Sequence, residues 1–229
     1  MWAVLPVKNL TDVKQRLAGA LNPEERAGLF RCMVEDVLDA VLGVETLDGV
    51  LVVTRDPEVR DLVEGRGAFV LEEPANEGHT TAVARAAHRL CAEGQEGLMQ
   101  IPGDIPMVTS AELSAVLAAH GGSRGEAQAF TITPSHDRRG SNCVILTPPD
   151  LIDLKFGDDS FEPHLASARA AGVEPRIVEQ PGIALDIDFP EDLARLAAIE
   201  ADTRTHRFLA RSGIGARLGP GAGPAGDSG

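Results

Sequence analysis

Gly97-Leu-Met-Gln-Ile-Pro-Gly-Asp-Ile-Pro-Met107 decides how this chain folds. Its first five residues form an apolar run that stops at Pro102-Gly103, and a second proline follows at 106. A run this short, ended by a Pro-Gly turn, reads as a buried strand. Asp104 then sits just past the strand's carboxyl end, the edge at which open α/β sheets meet their ligands. A lone carboxylate there is a candidate for holding a metal ion on a nucleotide.

The same reading extends upstream. Trp2-Ala-Val-Leu-Pro-Val7 is a central strand that ends near Pro6. Lys8, Lys14 and Arg16 follow within nine residues and without an apolar period, so Lys8 to Leu21 is a basic loop. In an otherwise acidic protein, cations directly after a first parallel strand lie where a triphosphate would. Asn22-Pro-Glu-Glu-Arg26 starts a helix, with a capping Asn, Pro at the first helical position and acids in the first turn. Leu29, Met33, Val37 and Val41 give its buried stripe. Strands are predicted at Asp48–Thr54 and Ala68–Leu71, with a helix from Asp56 to Val63 between them. Alternating strands and helices specify an α/β domain with a mostly parallel sheet.

His79 to Glu93 is the next predicted helix. Gly78 at its entrance, with Thr80 and Thr81, offers backbone N–H groups and hydroxyls to a base or phosphate. Beyond the Asp104 turn comes a helix over Ser110 to His120, a loop over 121–125, and strands at Ala127–Thr133 and Asn142–Thr147. The polar loop between those strands carries Arg138, Arg139, Gly140 and Ser141, an anion seat by composition. Gly157 and Ser160 mark the entrance to a helix that contains His164, and Val173–Glu179 reads as a further strand. Ile183-Ala-Leu-Asp-Ile-Asp-Phe-Pro190 alternates like a strand end, so Asp186 and Asp188 point to one face. Two like charges on one face repel unless a cation or donors sit between them. Capping of the helix after Pro190 accounts for one of these carboxylates but not both.

Composition limits the functions available. The 229 residues carry a formal charge of −14, which excludes a general nucleic-acid surface. Cys32, Cys91 and Cys143 form neither a disulfide framework nor a CxxC zinc pattern, and no HxxxH or HExxH spacing occurs. Without a leader or a membrane-length apolar run, a cytoplasmic protein with no membrane partner is expected. One domain over residues 1–205 is expected, followed by a flexible Gly/Pro-rich tail over 206–229. No P-loop or GxGxxG pattern is present. Asp104, Asp186 and Asp188 as hard oxygen ligands, facing a basic loop, indicate phosphoryl or nucleotidyl transfer at Mg²⁺ or Mn²⁺.

Six segments occur in a familiar order: Pro6-Val-Lys8, Lys14-Gln-Arg-Leu17, Pro102-Gly-Asp-Ile-Pro106, Gly140-Ser-Asn142, Phe156-Gly-Asp-Asp-Ser-Phe161 with His164, and Leu185-Asp-Ile-Asp-Phe-Pro-Glu-Asp-Leu193. Together they resemble the 2-phospho-L-lactate guanylyltransferase family of deazaflavin coenzyme biosynthesis, from Trp2 to about Ala201. The resemblance implies a three-layer, Rossmann-like nucleotidyltransferase fold. It implies transfer of GMP from GTP to a small phosphorylated carboxylic acid: 2-phospho-L-lactate, phosphoenolpyruvate or 3-phosphoglycerate. It also implies metal ligation by Asp104, Asp186 and Asp188, phospho-acid contacts from Ser141, Gly157 and Ser160, and Lys8, Lys14 and Arg16 near the GTP phosphates. Nucleotide contacts fall to Pro6, Lys8, Gly78, Thr81, Pro102 and Asp104, and the catalytic set to Lys8, Lys14, Arg16 and Asp104. The chain departs from the family where Gly-Thr-Asn becomes Gly140-Ser-Asn142, which keeps the hydroxyl. It departs again around Gly78-His-Thr-Thr81, where the family usually reads Gly-Leu-Asn. Two alternatives stay open at this stage: another metal-dependent nucleotidyltransferase of molybdopterin or sugar-phosphate type, and a non-catalytic nucleotide-binding protein. A homodimer is compatible with the sequence.

Overall fold

Trp2–Pro6, the first apolar run, becomes strand β1, and the chain returns to its flanks for the rest of the sheet. The computed structural model describes residues 1–10, 13–75, 78–120 and 127–218. After β1, a 3₁₀ turn at Gln15–Leu17 leads to α1 (Pro23–Leu42), β2 (Gly49–Thr54), α2 (Pro57–Glu64), β3 (Phe69–Glu72) and α3 (His79–Ala92). Next come β4 (Leu98–Gln100), α4 (Ser110–His120), β5 (Ala129–Pro134), β6 (Ser141–Thr147), α5 (Phe161–Ala170) and β7 (Arg176–Ile177). The one-turn α6 (Pro181–Ala184), α7 (Pro190–Ala197), α8 (Arg204–Arg211) and α9 (Ile214–Arg217) complete the described chain.

The sheet has the order β3-β2-β1-β4-β6-β5-β7. Neighbours run parallel except at β6, which is antiparallel to both β4 and β5. From β1 the chain steps outward through β2 to β3, then crosses back to place β4 on the other side of β1. The loops that leave β1 and β4 therefore open together at the topological switch point, where such sheets form a crevice.

Both faces of the central strands are covered, which is why β1, β2 and β4 are mostly apolar. Along β1, Ala3, Leu5 and Val7 pack into the layer containing Leu29, Met33 and Val37 of α1. Val4 packs the other way, with Ala86 and Leu90 of α3 and Leu165 of α5. Helix α1 begins as its sequence requires: Glu25 N–H donates to Asn22 Oδ1 at 2.9 Å, and Asn22 N–H donates to Glu25 Oε2 at 3.0 Å.

Two expectations are corrected. Residues 185–188 are extended but belong to no strand. Leu185 and Ile187 are buried and alternate with the two aspartates, which mimics a strand, but the Ile187 N–H bonds to the Asp104 carbonyl at 3.1 Å rather than joining the sheet. The expected domain end at 205 falls inside α8, whose Leu209 is buried in the same layer as α1, as is Ile214 of α9. Fold therefore continues to residue 218, while the loop over 121–125 and residues 219–229 lie outside the described residues. Among the described residues, no helix is long and apolar enough to cross a membrane.

Candidate active site

Three segments far apart in sequence converge at the switch point: the loop after β1, the Pro102-Gly-Asp turn after β4, and the extended stretch from Leu185 to Phe189. The third is fixed by its neighbours. Asn142, buried at the start of β6, donates its amide to the carbonyls of Ile183 (3.0 Å) and Ala184 (3.2 Å) and to Asp186 Oδ1 (3.0 Å). Gly182 N–H donates to Glu112 Oε1 at 2.7 Å, and a Cβ on Gly182 would come within 2.4 Å of the Met107 carbonyl. Only glycine lets α6 lie this close to the loop that carries Asp104.

Lys14 occupies the centre. Its ammonium donates to Asp104 Oδ2 at 2.6 Å and to Asp188 Oδ1 at 2.7 Å, and only 7% of its side chain is exposed. Its backbone is left-handed, with φ 51° and ψ 45°. Such a conformation costs a non-glycine residue about 1–2 kcal/mol, and here the two short ion pairs offset it. Burial pulls the Lys14 pKa down, but the two carboxylates outweigh it and the net direction is up. At Asp188 burial pushes the pKa up, and Lys14 and Arg16 overcome it, so the net direction is down. Arg16 reaches Asp158 at 2.9 Å, Asp188 at 3.5 Å, and stacks over the exposed Phe189 ring at 4.8 Å.

Asp186 has no such partner. Burial, then repulsion from Asp104, raises its pKa from 3.8 to about 6, against a smaller pull from Asn142. The three aspartates are therefore gathered at one edge as expected, but not as a ready-made cage. Among the described residues no group of three or more His, Cys, Asp or Glu side chains is spaced to hold a metal ion. Asp104 and Asp188 converge on one cation, at present the Lys14 ammonium, and Asp186 stands beside them as surplus negative charge.

Around this centre lies a cleft of two lobes. One, of about 480 Å³, is lined by Pro6, Lys8, Lys14, Phe30, Pro102 and Gly103 among others. The second, of about 640 Å³, runs past Gln100, Arg139, Ser141, Phe156, Gly157 and Ser160. Both lobes share Lys8, Arg16, His79, Pro102, Asp104 and Asp188.

The second lobe is lined with hydroxyls. Ser160 stands at the start of α5 without capping it, and instead donates to Ser141 Oγ at 3.1 Å. Ser141 Oγ also lies 2.9 Å from Nδ1 of the buried His164. Gly157 is one residue from Phe156, whose N–H donates to Thr80 Oγ1 at 3.0 Å.

Several expectations are thereby redistributed. Pro6, Lys8, Pro102 and Asp104 line the cleft, but Gly78 and Thr81 do not, and Thr81 is exposed on α3. Thr80 is consumed in holding the Phe156 loop. The side chain that faces the cleft from this helix start is His79, which lies 3.1 Å from Gln100 Nε2 and is pulled by burial to a pKa of about 4. Arg138 leaves the expected anion seat: it pairs with Glu179 and lies 5.3 Å over the Phe161 ring. Arg139 does line the cleft while bonded to Asp159 at 2.7 Å. Gln100, His79, Asn142 and Phe189 were not foreseen as site residues. Gln100 alone carried a signal, as the one polar residue inside an apolar strand.

The model of the family described as "Guanylyl transferase CofC like" matches residues 1–226. A phosphoenolpyruvate guanylyltransferase of Rubrobacter xylanophilus is 38% identical over 198 residues, covering 86% of this chain and 94% of that protein. A 2-phospho-L-lactate guanylyltransferase of Methanothermobacter thermautotrophicus is 31% identical over 207 residues, covering 90% of this chain and 88% of that protein. Among solved structures, a putative nucleotide-diphospho-sugar transferase from Desulfovibrio desulfuricans G20 superposes with a TM-score of 0.74 at 16% identity. That match covers 95% of this chain and 97% of the other, and it places the fold.

Proposed function

Since the chain belongs to the CofC-like guanylyl transferase family, we propose that it transfers GMP from GTP to a small phosphorylated carboxylic acid, with phosphoenolpyruvate the foremost candidate. The relative that bears that substrate's name is 38% identical to this chain, against 31% for the 2-phospho-L-lactate relative. The observation that carries the reading is the two-lobed cleft: the lobes share Lys8, Arg16, Asp104 and Asp188, so molecules bound in each would meet at those charges.

The chemistry asks little of the protein in proton transfer. A phosphate oxygen of the acceptor attacks the α-phosphorus of GTP, a new P–O bond forms, the bond from the α-phosphorus to the bridging oxygen breaks, and pyrophosphate leaves. The acceptor phosphate is already ionised near neutral pH, so no general base is needed. Burial holds His79 and His164 neutral, each with a pKa of about 4. What remains is alignment and charge. Lys8, Lys14 and Arg16 face the polyphosphate, and Ser141, Ser160 and the backbone at Gly157 receive the phospho-acid.

Asp104 and Asp188, with Asp186 beside them, would hold a hard divalent cation such as Mg²⁺. Their donor chemistry fits: two carboxylates already converge on one positive charge, and the third is raised first by burial and then by repulsion from Asp104. When bound, that cation would supply neutralisation of the phosphate oxygens. Lys14, held between Asp104 and Asp188 at the join of the two lobes, would keep a second cation beside the polyphosphate. In this reading the product is a step in deazaflavin coenzyme biosynthesis.

Pyrophosphate release tests the proposal, measured with GTP, ATP, CTP and UTP against phosphoenolpyruvate, 2-phospho-L-lactate and 3-phosphoglycerate. Turnover with GTP and phosphoenolpyruvate is the expected outcome. GTP binding without pyrophosphate release with any of the three acids would overturn it. Preference for 2-phospho-L-lactate, the substrate named for the relative at 31% identity, would select the second reading.

A further inference from the structure

We infer that His164 is a positioning residue that donates to the Ser141 hydroxyl, so that the Ser141–Ser160 pair is left with one O–H to offer an acceptor in the cleft. The inference rests on the reading of that lobe as the phospho-acid site, and it follows from counting donors and acceptors.

His164 lies one turn into α5 and is 1% exposed. Its Nε2 receives the backbone N–H of Lys155 at 3.0 Å. A backbone N–H can only donate, so Nε2 must be the unprotonated nitrogen. In a neutral imidazole the proton is then on Nδ1, 2.9 Å from Ser141 Oγ. Burial favours that neutral state, holding the His164 pKa at about 4. The Phe156 ring, edge-on at 5.2 Å, closes the site on one side.

Ser141 Oγ thus accepts from His164, and Ser160 Oγ lies 3.1 Å from it. A hydroxyl has two lone pairs and one proton. With His164 filling one lone pair of Ser141, the Ser141–Ser160 hydroxyl pair shares one bond and has one O–H left over for the cleft, on Ser141 when Ser160 donates and on Ser160 when the bond runs the other way. Ser141 and Ser160 both line the larger lobe. A serine free to rotate could present either a lone pair or a proton, whereas this pair has a proton to present. The ligand atom it meets must be an acceptor, as a phosphate or carboxylate oxygen is, and the donor is oriented before binding. His164 does this without touching the ligand, and through Lys155 it also holds the strand of loop that leads to Gly157.

The test uses the full chain. In wild-type protein labelled with ¹⁵N, the long-range ¹H–¹⁵N spectrum of His164 should show the proton on Nδ1 and a bare Nε2; a proton on Nε2 would overturn the inference. Steady-state kinetics then separate positioning from packing. His164→Leu should raise KM for phosphoenolpyruvate about tenfold or more, as expected for a lost hydrogen bond to a charged ligand, and leave KM for GTP within about twofold. His164→Asn, whose amide N–H stands near the place of Nδ1, should recover the phosphoenolpyruvate KM to within about threefold of wild type. Equal KM values for the Leu and Asn variants would refute the role. If the Leu variant does not fold, His164→Gln takes its place, because it can satisfy Lys155 but cannot seat a donor at Ser141. Absence of turnover with any phospho-acid in wild type would instead defeat the proposed substrate, leaving the tautomer measurement to stand by itself.

Discussion

Replacing Asp186 with Asn should make the protein more stable and less active, and the gain in stability should depend on pH. Asp186 is partly buried and its carboxyl titrates at about 6, raised from 3.8 by burial and by Asp104. A raised carboxylate pKa means that the folded state favours the protonated form. Its contribution to stability is therefore complete below pH 3.8 and is lost as the pH rises through about 6. Roughly two pKa units correspond to about 3 kcal/mol, an upper bound that partial exposure brings to about 1–3 kcal/mol. Asn keeps an Oδ1 that can accept from Asn142 Nδ2, now 3.0 Å from Asp186, but it carries no charge. Denaturant unfolding with EDTA and without nucleotide should show the two proteins equal near pH 3.5 and the variant ahead at pH 7.5. At about 2 kcal/mol, the thermal midpoint at pH 7.5 would be about 4–8 °C higher for a chain of this size. Adding Mg²⁺ and GTP should stabilise wild type more than the variant, and turnover should fall in the variant. A difference that stays constant from pH 3.5 to 7.5, or a variant less stable at pH 7.5, would refute the claim that like charges are stored at this edge.

Other substitutions probe the same structure. Lys14→Met should lower turnover by about 10²–10³-fold, measured as pyrophosphate release, because it removes a preorganised cation from the developing charge. It should also cost about 1–3 kcal/mol in thermal unfolding without metal, less than for a fully buried pair, because Asp104 and Asp188 are 23% and 36% exposed. Thr81→Ala should leave both KM values within about twofold, since its side chain is exposed on α3 outside the cleft; a large rise in KM for GTP would restore it as a nucleotide contact. Gly28→Val should destabilise the fold by about 1–3 kcal/mol in chemical denaturation, because a Cβ there would come within 2.7 Å of the Phe208 ring. An unaffected Gly28→Val protein would mean that α8 does not pack on α1 as described.

The sequence carried most of the fold because burial on both faces of a sheet leaves a strong signal. Val50 to Val53 and Leu98 to Met99 are apolar without alternation, and Asn22-Pro23 announces α1 before its stripe begins. What could not be read were contacts between segments distant along the chain. Leu185, Ile187 and the two aspartates alternate in burial like a strand, yet period two records only which side chains are inside, not whether a partner strand exists. Thr81 and His79 differ by two positions at the start of α3, and a helix turns by about 100° per residue, so which of them faces the cleft depends on how the helix is docked. Nothing near His164 in the chain marks its role, because Ser141 and Lys155, its partners, lie 23 and 9 residues away.

The same limit explains what became of the three aspartates. Sequence placed them at one edge, and their mutual repulsion called for a cation. It did not show that the chain carries its own. Lys14, in a left-handed conformation, lies 90 residues from Asp104 and 174 from Asp188, and it bonds to both. A univalent ammonium between two carboxylates leaves Asp186 without a cation of its own, and its pKa is raised first by burial and then by the charge of Asp104. A divalent ion brought in with the nucleotide would correct the balance that Lys14 only half meets. Under the proposed function Asp104 and Asp188 would hold that ion with the Lys14 cation beside them, and the charge this edge lacks would be supplied where the phosphates have to be met.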